Sequence, residues 1–220
     1  DTIGDNPNPS KWKVGHIYFA HMALTDVEGE KFHYFERINR KGIGNAGADS
    51  ERLMVWNEDW SLEGKDNEHL LEAVESGMGI KLQLAPEKKL VVHGQDGISK
   101  KGSETGNASH YFSYTRMKTS GTVFVDGKSY KVFGTSWMDH EYSSNQLNNE
   151  LSGWDWFSLK LDDQTELMLY QLRRKSGGID SFSSGTFVSS DGVSRHIKRD
   201  EFTVESSAQW RSKQSGITYP

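Results

Sequence analysis

The stretch Thr122-Val-Phe-Val-Asp-Gly-Lys-Ser-Tyr-Lys-Val-Phe133 decides the fold class. Two runs rich in β-branched and aromatic residues flank Asp126-Gly127. An Asp-Gly pair supplies the positive φ that a two-residue type I′ turn requires, so the runs read as antiparallel strands. Leu161-Asp-Asp-Gln-Thr165 and Ser190-Asp-Gly192 repeat the signal further along. Working outward, period-2 alternation and aromatic-rich runs predict strands at His16–Ala23, Lys31–Ile38, Arg52–Trp56, Trp60–Leu62, Gly79–Leu84 and Lys89–Val92. Further strands follow at His110–Met117, Thr122–Val125, Lys128–Phe133, Gly153–Leu161 and Thr165–Arg173, then at Ser183–Val188, Ser194–His196 and Glu201–Val204. Only Asn145–Leu151 reads as a short helix. The class is all-β and antiparallel. Many strands at close spacing predict a barrel or a sandwich, because closing a sheet removes its exposed edges.

The 220 residues are enough to bury a core without staples. Mean hydropathy is low at -0.72, yet 11% of residues are aromatic and seven are Trp, which predicts an aromatic core or a lined cavity. The net charge is -5 and no stretch is densely basic, which argues against nucleic acid as a partner. There is no cysteine, so disulfides and thiolate metal sites are excluded. No run approaches the roughly 18 apolar residues of a membrane span. Residues 1–14 read as an extension and 15–220 as one β domain. Gly42–Ser50 and Asp96–Ala108 read as polar loops of the length often used as lids. No Gly-rich phosphate-binding pattern follows a strand and opens a helix.

Three segments carry the unusual residues. In Ser109-His-Tyr-Phe-Ser-Tyr-Thr-Arg116, alternation puts His110, Phe112, Tyr114 and Arg116 on one face. In Gly134-Thr-Ser-Trp-Met-Asp-His-Glu-Tyr142, Trp137, Asp139 and Glu141 share one face and Met138, His140 and Tyr142 the other. In Gly153-Trp-Asp-Trp-Phe-Ser-Leu-Lys-Leu161, Asp155 lies with Phe157, and across the hairpin Gln171 lies with Arg173. Acidic residues are depleted in strands, and unpaired burial of ionisable groups is costly. The row Trp137-Met-Asp-His-Glu141 is therefore either a solvated strand end or part of a lined cavity, and the neighbouring segments favour the cavity. No helical His-x-x-x-His pair or nucleophile elbow occurs, so neither a metal nor a serine triad is expected.

Read in order, these blocks resemble the AttH/CrtC-type lipocalin-like family, which includes carotenoid hydratases and kievitone hydratase-like proteins. The resemblance rests on Phe19–Asp26, Val92–Lys100, Ala108–Met117, Ser136–Tyr142, Gly153–Leu159, Leu167–Arg173, Trp210 and Gly216–Pro220. It implies a lipocalin-like (calycin) barrel or a strongly curved β-sandwich. It also implies a second lipocalin-like domain and an opening Trp-rich strand, and the sequence departs from that pattern at both ends.

The resemblance further implies a hydrophobic or amphipathic ligand, no cofactor, and a secreted or periplasmic setting. The expected partners are that small molecule and either a second lipocalin-like domain or a second copy of the chain. By motif position Asp139 resembles the acid that protonates an isolated double bond, beside Trp137, with His110 and Phe112 as its supporting pair. His110 or Glu141 would then serve as base to the attacking water. Aromatic faces stabilise the intervening carbocation, and a buried carboxyl can stay protonated as an acid. Tyr114, His140, Trp154, Asp155 and Arg173 complete the expected ligand site. A non-catalytic carrier of lipid or terpenoid is the alternative. For Trp154, Trp156, Tyr170 and Arg173 a structural role as core and lid residues, with Arg173 either satisfying buried carbonyls or pairing with Asp155, is the favoured reading.

Overall fold

A computed structural model describes residues 15–41, 44–104, 106–145 and 148–219. Its strands are β1 (Ile17–Asp26), β2 (Lys31–Arg40), β3 (Ala46–Ala48), β4 (Met54–Asn57), β5 (Trp60–Lys65), β6 (Glu68–Glu75), β7 (Met78–Pro86), β8 (Val91–Val92) and β9 (Ile98–Lys100). They continue with β10 (Ala108–Val125), β11 (Lys128–Tyr142), β12 (Leu151–Lys160), β13 (Glu166–Arg174), β14 (Ser184–Val188), β15 (Ser194–Ile197), β16 (Trp210–Arg211) and β17 (Thr218–Tyr219). Every described pairing is antiparallel. Among the described residues no helix is long and apolar enough to cross a membrane.

Two compact units divide the chain. One runs up to Val91 and takes in Phe112–His140; the other comprises Val92–Tyr111 and the residues from Glu141 onward. The boundaries cut through β8, β10 and β11, where no change of composition marks them.

In the first unit the strand order is β11-β10-β7-β6-β5-β4-β3, with β1 and β2 forming a separate hairpin. Asp126 and Gly127 take φ of 50° and 76° and close the β10–β11 hairpin, as the Asp-Gly signal predicts. Alternation gives the hairpin and the sheet one apolar face each. Met22 of β1, Trp60 of β5 and Ala73 of β6 are buried together, with Ala20, Phe35 and Ile80 against them. Each large side chain so buried contributes about 1.5–3 kcal/mol. The Trp60 indole N–H donates to the Val74 carbonyl at 3.1 Å, so its polar edge is satisfied. Asn57, also buried, donates to the carbonyls of Tyr18 and Arg37 and thereby ties the hairpin to β4.

β10 is one strand of 18 residues where the sequence predicts two. The gap between them falls at Gly121, whose φ of 153° and approach to the Lys81 carbonyl are open only to a residue without Cβ. β11 likewise runs unbroken through the Trp137–Tyr142 segment.

In the second unit β12-β13-β14-β15 form a sheet, β9 pairs with the start of β10, and β16 pairs with β17. β13 is central and nearly wholly buried, which explains its near-continuous apolar run Leu167-Met-Leu-Tyr170. Val188 and Met168 sit in this core at 0% and 1% exposure.

Several expectations change. Asp96–Ala108 is only partly a loop: Asp96-Gly97 forms another positive-φ turn, and Ile98–Lys100 pairs with Ala108–His110. Within Gly42–Ser50, residues 42–43 lie outside the described residues and Ala46–Ala48 is a strand. Glu201–Val204 is not a strand. Arg199–Glu201 forms a 3₁₀ turn, because the Glu201 carboxylate takes the Lys198 backbone N–H at 2.8 Å. The helix predicted at Asn145–Leu151 and the extension at 1–14 involve residues outside the description, and Leu151 itself opens β12. The antiparallel all-β class is as expected, and among the described residues the strand pairings do not by themselves close either large sheet into a barrel.

Candidate functional site

Alternation along β10 and β11 sorts the candidate residues onto faces. In the first unit, Ser113 and Asp139 share one face: the Ser113 hydroxyl donates to Oδ1 of Asp139. The Trp137 indole N–H donates to the same oxygen at 2.8 Å. Ser113 and Thr115, at 0% and 1% exposure, lie on the buried face of β10. Phe112 and His140 occupy the other face, their rings 4.6 Å apart. Phe112 therefore packs against His140 and lies on the other face from Asp139. Asp139 is solvent-exposed rather than buried. Tyr114 packs edge-on against His69 at 5.6 Å and lines a cleft with Leu53, Pro86 and Leu90. His69 is 8% exposed, and burial lowers its pKa below the usual histidine value.

The second unit has its own carboxylate. Glu141 accepts from Ser109 Oγ at 2.5 Å and pairs with Lys101 Nζ at 3.2 Å, both through Oε1. His110 stacks on Tyr142 at 5.1 Å. Ser109 and His110 are consecutive on a strand and so point to opposite faces, which separates His110 from Glu141.

Lys101 is 9% exposed, and its ammonium lies 3.9 Å from the Tyr170 ring centre and 5.7 Å from that of Tyr111. Trp156 donates its indole N–H to the Tyr111 hydroxyl at 3.1 Å. The Tyr170 hydroxyl receives Ser184 Oγ at 2.8 Å and lies 3.1 Å from Ser99 Oγ. A small pocket of about 50 Å³ is lined by Lys101, Tyr111, Glu141, Trp154, Trp156 and Tyr170.

The opposite face of β12 and β13 carries Asp155 and Arg173, bonded at 2.5 Å. They border a cleft of about 700 Å³ that Trp154 and Trp156 also line, with Phe157 and Tyr219. Behind the small cavity, His93 is 1% exposed, with Nδ1 2.9 Å from Thr186 Oγ1. Burial, then the charges of Lys101 and His196, push its pKa down to about 4.

The sequence reading singled out Glu141 and Trp154 of the small cavity and missed Lys101 and Tyr111. Lys101 sits in a polar segment that reads as solvated, and Tyr111 lies on the less aromatic face of its strand. The hydrogen-bonded face of β10, Ser109 to Thr115, is the one the fold buries. Among the described residues no three His, Asp or Glu side chains are grouped to hold a metal.

An antiparallel all-β chain whose carboxylates lie beside aromatic side chains is the class these features define. The chain belongs to the AttH-like family, whose model matches residues 2–220. The crystal structure of an AttH protein from Nitrosomonas europaea is similar, with 28% identity and a TM-score of 0.87 over 96% of this chain and 66% of that one. Kievitone hydratase from Nectria haematococca shares the fold at 14% identity, with a TM-score of 0.71 over 92% of this chain and 61% of that one. The chain thus spans less than two thirds of the length of either. No functionally curated protein matches it.

Proposed function

We propose that the chain binds a hydrophobic or amphipathic small molecule and transforms it as a cofactor-free hydratase or isomerase, with Asp139 as the acid. The observation that carries this reading is the seating of Asp139. Two donors, Ser113 and Trp137, fix one carboxylate oxygen on a strand, beside an indole. Membership of the AttH-like family and the fold shared with kievitone hydratase support it.

The step balances without a cofactor. The carboxyl O–H proton passes to one alkene carbon, the π pair forming the new C–H bond. Water adds its oxygen to the resulting cation and gives a proton back to the carboxylate. The indole face of Trp137 offers the cation an attractive surface. A bound apolar ligand would strip water from Asp139, which the fold alone leaves exposed. A lipocalin-like barrel or curved sandwich around the ligand, a second lipocalin-like domain or second copy of the chain, and a secreted or periplasmic setting belong to the same proposal.

The second reading is a carrier. The Trp154–Trp156 wall, shared by a small cavity and a large cleft, favours it, since such a wall binds ligand without any acid.

The test is native mass spectrometry of the protein from its own host, followed by incubation of the extracted ligand, and of kievitone as a defined probe, in ¹⁸O-labelled water. Gain of one labelled water, lost in Asp139→Asn, is the expected result. A ligand bound and recovered unchanged supports the carrier and sinks the hydratase.

A further inference from the structure

We propose that the small cavity of the second unit is a head-group site for a neutral hydroxyl at the end of an amphipathic molecule. The proposal deepens the small-molecule reading and rests on it. The pairing of Lys101 with Glu141 inside an aromatic wall carries the argument.

A buried ammonium has three donors. Here one is directed at Glu141 and the charge otherwise faces the Tyr170 and Tyr111 rings, which are weak acceptors. Glu141 spends Oε1 on both Lys101 and Ser109, and among the described residues Oε2 takes no hydrogen bond. The site thus offers a charged donor and a charged acceptor side by side. A hydroxyl matches both at once, accepting from Lys101 and donating to Glu141.

Other end groups match worse. A carboxylate would meet the Glu141 charge, and an ammonium would meet Lys101. An apolar end would offer neither charged group a hydrogen bond while displacing water from both, which is costly.

Size points the same way. About 50 Å³ admits an end group and not a whole ligand. Trp154 and Trp156, 50% and 40% exposed, wall the cavity and extend from it to the surface. A flat apolar body lying along these indoles would place its hydroxyl at Lys101.

The test is calorimetric titration of the full chain with naphthalene, 2-naphthol and 2-naphthoate, which share one ring system and differ in the end group. 2-Naphthol is expected to bind about tenfold tighter than naphthalene, the worth of a hydrogen bond to a charged group. 2-Naphthoate should bind no tighter than naphthalene. In Lys101→Met, whose side chain keeps the length of the stem, 2-naphthol should fall to the naphthalene affinity while naphthalene is unchanged. If that variant does not fold, the wild-type indole N–H resonance of Trp156, assigned with Trp156→Phe, must shift on adding 2-naphthol. Equal binding of naphthalene and 2-naphthol, tighter binding of 2-naphthoate, a hydroxyl preference that survives Lys101→Met, or an unmoved Trp156 signal overturns the proposal. If neither naphthalene nor 2-naphthol binds, the small-molecule reading falls with it. If naphthalene alone keeps its affinity, only the head-group assignment is lost.

Discussion

The indole N–H of Trp137 donates to Oδ1 of Asp139 at 2.8 Å, two residues along one strand. Residues i and i+2 of a strand share a face, so the bond costs the backbone nothing and holds the carboxylate against the aromatic edge. Ser113 reaches the same oxygen from β10. If Asp139 is the acid, Asp139→Asn should lower turnover by about 10²–10⁴-fold, the range for loss of a positioned proton donor. Trp137→Phe keeps the ring and removes the donor, so it should lower turnover less and displace the pH–rate profile. Rates of labelled-water incorporation across pH for the two variants check this. A wild-type rate in Asp139→Asn would remove Asp139 from the mechanism.

His93 makes stability depend on pH. Its ring is 4.2 Å from that of Tyr111, and its folded pKa of about 4 lies below the unfolded value near 6.5. The unfolded chain therefore takes up the proton first as pH falls. The contribution of neutral His93 is fully present above pH 6.5 and is lost between pH 6.5 and 4, in all about 3 kcal/mol. His93→Gln does not titrate. The stability gap between wild type and variant, read from urea midpoints, should narrow by that amount from pH 7 to pH 4. A constant gap would show that His93 does not titrate in this way.

What the sequence made legible follows from how local each signal is. The Asp126-Gly127 hairpin and the Asp155–Arg173 pair depend on residues adjacent in the chain or across one tight hairpin, and both are present. β6 was not legible, because Glu68-His-Leu-Leu-Glu-Ala-Val-Glu75 consists largely of good helix formers. It is a strand because positive-φ pairs bracket it, Asp66-Asn67 at 48° and 66° and Ser76-Gly77 at 51° and 79°. The faces of β10 could be assigned from alternation, but which face is buried depends on distant partners. The richer aromatic face lost to Ser109, Tyr111, Ser113 and Thr115, of which the Ser109, Tyr111 and Ser113 hydroxyls bond to Glu141, Trp156 and Asp139. The Lys101–Glu141 pair joins residues 40 positions apart, and no local pattern announces it.

Arg37 anchors the β1–β2 hairpin through more than charge. Its guanidinium lies 4.3 Å from the Trp60 ring centre and donates to the Asn57 carbonyl at 3.1 Å and to Glu75 at 2.7 Å. It also bonds Asp59. Burial works against its charge, but the bonds to Glu75 and Asp59 outweigh this and raise its pKa. Arg37→Met should cost about 2–3 kcal/mol, since the buried Asn57 carbonyl loses its donor and Trp60 its cover. Asp59, 75% exposed, is a different case: Asp59→Asn should change stability by less than about 0.5 kcal/mol, because water replaces the lost ion pair. Thermal unfolding of both variants checks the contrast. Equal losses would mean that the ion pairs themselves, and not the packing around Arg37, hold the hairpin.

Two glycines of the β10 hairpin separate backbone strain from collision. Gly127 has φ of 76°, and nothing lies within 4 Å of the place where a Cβ would stand. Gly127→Ala therefore adds only the left-handed penalty, about 1–2 kcal/mol. Gly121 has φ of 153°, and a Cβ there would lie 2.1 Å from the Lys81 carbonyl oxygen and 2.9 Å from Leu82 Cα. Both atoms belong to the backbone of β7, so relief requires the two strands to part. Gly121→Ala should cost more than Gly127→Ala by at least about 2 kcal/mol, and should loosen the β7–β10 ladder around Leu82–Gly121. Hydrogen exchange of the Lys81 to Leu84 amides reads that loosening directly. If the two variants melt together with unchanged protection, β10 does not need Gly121 to run past β7.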